Sequence, residues 1–295
     1  MKKSRIGVIG YGNVGREAVA AIERAPDMEL AGVIRRSRGG PADLPVATGA
    51  EELGQLDAVL LTIPSPLIPE TAPLYLQKGI NTVDGYDIHG AAMLRLREML
   101  GAHARECGQV AITGAGWDPG TDSIFRILFA AIAPVGITYT DFGPGMSMGH
   151  SAAAGAIPGV RRALSLTLPL GYGEHRRHVY VELEEGISFA AIAERIREDP
   201  YFKNDPTMVI EVEDLAQLKV TSHGVRISRT GSSGTAQNQL LELKMKLTNP
   251  AATAQIMVAA ARASLRLKPG CYVLSEVPPI DLLPSSRETV IKEMI

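Results

Sequence analysis

Apolar and polar positions follow two rhythms along this chain, and the change between them divides it. Up to about residue 115, short apolar runs rich in β-branched residues alternate with stretches of helical spacing. The runs are residues 6–9, 28–34, 57–63, 80–83 and 109–113, and the third is continuous enough to be buried on both faces. Helical periodicity fills 16–22, about 69–78 and 91–107. Strands alternating with helices predict a parallel sheet packed between helices. Beyond residue 118, a helix to about 133 gives way to period-two alternation at 163–168, 178–183 and 241–247. One apolar and one polar face per strand predicts an antiparallel sheet covered on one side. Helices at about 188–198 and 251–267 are its expected cover. The pattern therefore predicts an α/β domain over 1–118 and an α+β domain over 119–268, with 269–295 returning to the first after Pro269-Gly270.

The first apolar run leads into Gly10-Tyr11-Gly12-Asn13-Val14-Gly15, a G-x-G-x-x-G between a strand and a helix. That context is the strand–turn–helix of a Rossmann-like dinucleotide-binding unit. Gly10 permits the tight turn, Gly12 lets the backbone approach a pyrophosphate, and Gly15 lets the helix pack closely on the strand. The phosphates then lie at the positive end of the helix. Where an acidic residue would hold a ribose 2′-hydroxyl, at the tip of the second strand, this chain has Arg35-Arg36-Ser37. Two guanidiniums and a hydroxyl suit a 2′-phosphate and so favour NADP over NAD. Elsewhere the same triplet would read as an exposed basic loop. Ser65, Pro66 and Leu67 follow the third strand at its C-terminal end, where cofactors sit in such sheets. A polar cluster from Asp84 to His89, with Asp87 in it, follows the next strand. Trp117, the only tryptophan, precedes Asp118-Pro119-Gly120 at a further strand exit. Asp118 reads either as the N-cap of a helix with Pro119 at its first position, or as part of a site.

Composition narrows the classes. With 295 residues, 45% hydrophobic and 21% charged, the chain is ordinary globular protein with room for two modest domains. A net charge of −2 gives no basic footprint for nucleic acid. No apolar run approaches the roughly 20 residues of a membrane helix, and the N-terminus enters a strand rather than a signal-peptide core. Cys107 and Cys271 lie far apart with no C-x-x-C. That argues against a disulfide framework or a cysteine metal site, and for a reducing cytoplasm.

Several strings then occur together and in order: GYGNVG, the Arg35-Arg36 pair, TVDGYDIH (82–89), GWDPG (116–120), FGPGMSMGHS (142–151), IPGV (157–160), TLP (167–169), HG (223–224) and NP (249–250). In that combination the chain resembles the meso-diaminopimelate dehydrogenases over nearly its whole length. The resemblance implies an NADP-linked oxidoreductase of bacterial lysine biosynthesis. Such an enzyme oxidises the D-configured carbon of meso-2,6-diaminopimelate, giving L-2-amino-6-oxopimelate and ammonia, and catalyses the reverse reductive amination. It also implies at least a homodimer, with the α+β domain binding substrate and dimerising. Asp87 and Asp118 match the carboxylates around the D-centre amino group, with Trp117 beside them, and either carboxylate or a water it relays is the candidate base. Thr167, Arg177, His223 and Asn249 match the groups gripping the L-configured end. Met146, Met148 and Gly149 belong to the loop passing over the substrate, and Pro119 and Gly120 to the cofactor side. A substrate with a carboxylate and an amine at each end needs anion and cation holders in two places, and a guanidinium is the strongest carboxylate clamp.

Without the resemblance, His223 is a polar residue before a glycine and Asn249-Pro250 a helix start. Arg177 is then one residue of a solvated charge run from Glu174 to His178. On architecture alone the alternative is another NADP-dependent dehydrogenase, such as a homoserine-type enzyme. The chain departs from longer relatives in the short stretch 169–175, and from many of them in having Phe142 where tryptophan stands. Both departures predict a roomier or more mobile D-end and weak amination of simple 2-oxo acids to D-amino acids.

Overall fold

The computed structural model describes residues 3–37, 44–218 and 223–295. β1 (Ser4–Ile9), α1 (Asn13–Arg24) and β2 (Met28–Ile34) open the chain, followed by a short β3 (Val46–Ala47). β4 (Ala58–Leu61), α2 (Ile68–Leu76), β5 (Asn81–Asp84), α3 (Ala91–Cys107) and β6 (Val110–Thr113) continue the alternation. Next come α4 (Thr121–Ile132), β7 (Val135–Phe142), β8 (Gly145–Ser147), α5 (Met148–Gly155), β9 (Val160–Gly171) and β10 (Glu174–Leu183). α6 (Phe189–Glu198), β11 (Thr207–Glu211), β12 (His223–Ser233), β13 (Ala236–Leu247), α7 (Asn249–Ser264), β14 (Gly270–Val273) and α8 (Arg287–Met294) complete the order. Two compact units result: Met1–Ile124 with Pro250–Ile295, and Phe125–Asn249.

In the first unit a parallel sheet runs in the order β14-β6-β5-β4-β1-β2-β3. Its strands are buried on both faces, which is why they show continuous apolar runs rather than alternation. Ile6, Val8 and Ile22 share one apolar layer, and Val59, Leu61, Tyr75 and Leu100 another. Truncating one of these side chains, such as Ile22→Ala, costs about 2–5 kcal/mol through lost burial and the cavity left. The C-terminal segment joins this sheet, with β14 pairing in parallel with β6.

The helix expected to cover the second sheet instead belongs to this first unit. Ala254, Met257, Val258, Ala260 and Ala261 of α7 enter the core of β1 and α1. The division therefore falls inside α4 and at the head of α7, not at 118/119 and 268/269. α7 misleads because its second half is alanine-rich and buried all round, so it carries no amphipathic stripe to reveal what it faces.

The second unit holds two sheets, β11-β10-β9-β8 and β13-β12-β7. β9 and β10 form a hairpin whose turn residues, Tyr172 and Gly173, both have positive φ (54° and 82°), with Gly171 opposite Glu174. Two left-handed central residues match the twist of a tight hairpin, and this explains the brevity of 169–175. α6 supplies the expected cover, packing Ile192, Ala193 and Ile196 on Val179, Val181 and Val209. β11 departs from the antiparallel expectation by joining β10 in parallel. β12 shows no clean alternation because Arg229 shares the inward face of Val225 and Ile227. There its guanidinium donates to the Ala133 carbonyl (2.7 Å) and the Thr138 hydroxyl (2.7 Å).

Candidate active site

β1 ends at Ile9, and Gly10 turns the chain at φ 91°. A Cβ at Gly10 would stand 2.8 Å from the Thr62 carbonyl oxygen, and one at Gly15 2.5 Å from that of Gly10. Both neighbours are backbone, so neither position admits a side chain. At Gly12 a Cβ would meet nothing within 4 Å, so this glycine borders open space. α1 begins with no side-chain cap and no acidic residue in its first turn. Its leading N–H groups are thus left for an external acceptor. Asn13 accepts from Arg16 Nη2 (2.7 Å), while Val14 packs against the core and offers the cradle only its backbone. A cavity of ≈ 600 Å³ at the ends of β1 and β2 is walled in part by Gly10, Tyr11, Arg35, Arg36, Ser37 and Leu67. A glycine turn for a pyrophosphate and a basic, hydroxyl-bearing wall for a further phosphate fit NADP.

The ends of β4 and β5 bring two candidates together. The Ser65 hydroxyl donates to Asp87 Oδ1 (2.5 Å), and the Asp87 amide donates back to the same hydroxyl (3.1 Å). Pro66 and Leu67 complete the single turn that Ser65 begins. The carboxylate of Asp87 is exposed but oriented. Three residues earlier stands the first carboxyl of the same cluster, Asp84, to which the pattern gives no role and which is fully buried at the end of β5. Its Oδ1 accepts from the Tyr86 amide (2.9 Å), the Thr113 hydroxyl (2.8 Å) and the Gly114 amide (3.4 Å). Burial pushes its pKa up to about 6.

Asp118 does not stand immediately before a helix. α4 begins at Thr121, because residues 116–120 close on themselves first. The Gly116 amide donates to the Pro119 carbonyl (3.1 Å), Thr121 to Gly116 (3.1 Å) and Asp122 to Trp117 (3.0 Å). Gly120 makes this possible: its φ is 142°, and a Cβ there would lie 1.9 Å from the Gly116 oxygen. Trp117 is buried within the loop and Asp118 half-buried.

In the second unit, strand register sets Thr167 opposite both Arg177 and Gly145. Arg177 is no solvated charge: its side chain is 13% exposed, and its Nε donates to Asp205 Oδ2 (2.7 Å). Its Nη1 donates to the Thr167 hydroxyl, and among the described residues Nη2 makes no hydrogen bond. Phe142 ends β7, donating its amide to His175 Nε2 (2.7 Å), with its ring 5.7 Å from that of His175 and 6.4 Å from that of His223. His223 is buried at the start of β12, beside a Gly143-to-Gly224 backbone bond (2.7 Å). Met146 lies opposite Leu166 on β8, Met148 and Gly149 begin α5, and Asn249 begins α7, one residue earlier than the capping pattern implies.

The short hairpin after Pro169 braces β7. Gly173 donates to Asp141 Oδ1 (2.7 Å), the Tyr172 and Tyr139 rings meet edge-on at 5.3 Å, and His175 holds the Phe142 amide. Phe142 is therefore pinned between His175 and His223, the latter a residue matched to the L-end. Two histidines with no claim from pattern belong here. Burial, and then Arg177, lowers the pKa of His175, keeping Nε2 free to accept. The same causes push His150 down to about 4; its Nδ1 is 2.8 Å from the Ser147 hydroxyl, and its ring meets Tyr201 and Phe202 edge-on. Little in their spacing marks them: His175 meets the end of β7, and the ring of His150 meets Tyr201 and Phe202, all distant in sequence. Among the described residues, no cluster of His, Cys, Asp and Glu could hold a metal, and no helix is long and apolar enough to cross a membrane.

Residues 116–173 match the family described as the diaminopimelic acid dehydrogenase C-terminal domain. A meso-diaminopimelate D-dehydrogenase of Bacteroides fragilis is 50% identical over 300 residues, covering 100% of both chains. The solved structure of Corynebacterium glutamicum diaminopimelate dehydrogenase in complex with diaminopimelate aligns with a TM-score of 0.92 at 31% identity, covering 100% of each chain. An engineered D-amino acid dehydrogenase bound to NADP+ aligns with a TM-score of 0.87 at 30% identity, again over 100% of each. By full-length identity and by fold, the chain belongs to the meso-diaminopimelate D-dehydrogenase family.

Proposed function

We propose that this chain catalyses the NADP-dependent oxidative deamination of meso-2,6-diaminopimelate at its D-centre, yielding L-2-amino-6-oxopimelate and ammonia, and the reverse amination. The observation that carries the reading, beyond family membership, is Arg177. It is withdrawn from solvent, aimed by Asp205 and Thr167, and left with Nη2 for a carboxylate. Thr167, His223, Asn249 and the loop residues Met146, Met148 and Gly149 complete the grip on the L-end.

NADP, when bound, supplies the hydride acceptor. Gly10 to Gly15 hold its pyrophosphate, Arg35, Arg36 and Ser37 its 2′-phosphate, and Ser65 to Leu67 with Pro119 and Gly120 line its further contacts. Loss of hydride from the D-carbon requires a neutral amine, so a base must first take an ammonium proton. Asp87 and Asp118 are the carboxylates that hold the ammonium and receive that proton, directly or through water. Ser65 keeps Asp87 in one orientation. Trp117, packed within its loop, limits water around the reacting carbon. Water then adds to the imine carbon, and ammonia leaves.

The reverse reaction tests the assignment of ends. With NADPH, ammonium and L-2-amino-6-oxopimelate, chiral analysis should find meso-diaminopimelate alone; the LL isomer would refute it. The same chemistry gives D-amino acids from simple 2-oxo acids at low rate, and chiral analysis of the alanine formed from pyruvate checks this. The two free thiols, Cys107 and Cys271, suit the cytoplasm. Exposed Ile127, Leu128 and Ile132 of α4, with Ile137 and Leu240 on one face of their sheet, suit a homodimer. Light scattering should give twice the chain mass.

A further inference from the structure

Asp84 has no part in the chemistry above, yet the fold keeps its carboxyl out of water at the end of β5. Such burial is costly unless hydrogen bonds compensate. Here they do so on one side only: Oδ2 has no partner, while Oδ1 gathers three donors. The donors come from two places. Tyr86 lies in the exit of β5, one residue before Asp87, whereas Thr113 ends β6 and Gly114 starts the loop that leads to Trp117 and Asp118. The main chain repeats the link, with the Ala115 amide donating to the Asp84 carbonyl (2.8 Å). Stability alone would favour an apolar side chain, as at the neighbouring positions Val83 and Ile112. With the folded carboxyl raised from 3.8 to about 6, the stability tied to Asp84 is full below 3.8 and is lost as pH rises through 6. The ionised form thus weakens the fold at neutral pH.

We propose that Asp84 is a positioning residue: one acceptor atom ties the stem of the Asp87 loop to the stem of the Asp118 loop and so sets the two carboxylates relative to each other. The proposal rests on the diaminopimelate reading. Its test is a set of three variants read by kcat and KM for diaminopimelate, by NADP affinity from fluorescence titration, and by Tm. Asp84→Asn keeps the acceptor, Asp84→Ala removes it, and Thr113→Val removes one donor at constant volume.

Misplacement by about 1 Å costs on the order of 10²-fold, so Asp84→Ala should lose that much in kcat. Asp84→Asn should lose less than about tenfold, since a neutral acceptor is weaker but correctly placed. NADP affinity should stay within about twofold in both, because the glycine turn and Arg35-Arg36 are untouched. Thr113→Val should lower kcat by about threefold to tenfold while Tm falls by only a few degrees, and it decides the matter if Asp84→Ala does not fold. Unchanged kcat in a folded Asp84→Ala or in Thr113→Val overturns the proposal. So does an Asn variant as damaged as the Ala variant, or a loss of NADP affinity that parallels the loss of kcat. Wild-type protein inactive on diaminopimelate would overturn the functional reading itself, and this is seen before any variant is made.

Discussion

Replacing Arg177 by alanine should damage turnover of diaminopimelate far more than turnover of a substrate with no L-end. A guanidinium has five N–H donors. In this chain Nε serves Asp205 and Nη1 serves Thr167, so the group is already oriented before substrate arrives. A carboxylate accepting from the remaining donors gains a charge-assisted bond worth about 1.5–3 kcal/mol. Tenfold in kcat/KM corresponds to about 1.4 kcal/mol, so Arg177→Ala should lose roughly 10- to 150-fold on diaminopimelate. The substitution also leaves Asp205 and Thr167 without their partner. Asp205 is 26% exposed and can turn to water, so the sheet should hold. Amination of pyruvate, which has no second end, should change by no more than about threefold. Steady-state kinetics of wild type and variant on both substrates are the assay, with Arg177→Lys as the charge-retaining control. An equal loss on the two substrates would show that Arg177 serves the fold or the reacting centre rather than the L-end.

Other outcomes follow from the same geometry. Arg35→Ala with Arg36→Ala should weaken NADP by on the order of tenfold per lost phosphate bond and NAD hardly at all; equal weakening in binding titrations would remove the 2′-phosphate from their role. Asp118→Asn keeps the size of the side chain and an acceptor oxygen, so Tm should stay near wild type, while kcat falls about 10²- to 10⁴-fold if the carboxylate takes the proton; near-normal turnover would assign that step to Asp87. His150 is held neutral, with its pKa depressed from 6.5 to about 4 by burial and by Arg177. Its contribution to stability is therefore complete above 6.5 and lost as pH falls toward 4. Melting curves across that window should fall less steeply for His150→Gln than for wild type; parallel curves would refute this.

Much of the first unit is legible in sequence because its signals are local. A glycine at φ 91°, a helix with no acidic first turn and a basic pair at a strand tip each declare themselves within a few residues. The second unit is less legible because its logic is long-range. Arg177 looks like one charge in a run until the register of β9 and β10 sets it against Thr167. His175 acquires a role only when β7 delivers the Phe142 amide to it, and the short hairpin, which suggests slack, proves to be a brace. Asp118-Pro119 imitates a helix start so well that only the closure of Gly120 on Gly116 removes it. α7 is hidden for a different reason: its second half is buried all round and has no face to read.

The central claim is that hydride leaves a D-configured carbon of a substrate held by its L-end. Its most direct measurement is NADP reduction with meso-, LL- and DD-diaminopimelate in parallel. The predicted result is full activity with the meso isomer, little or none with DD, which lacks the L-end, and none with LL, which lacks a D-carbon. Reduction with the LL isomer at a rate comparable to meso would contradict the account.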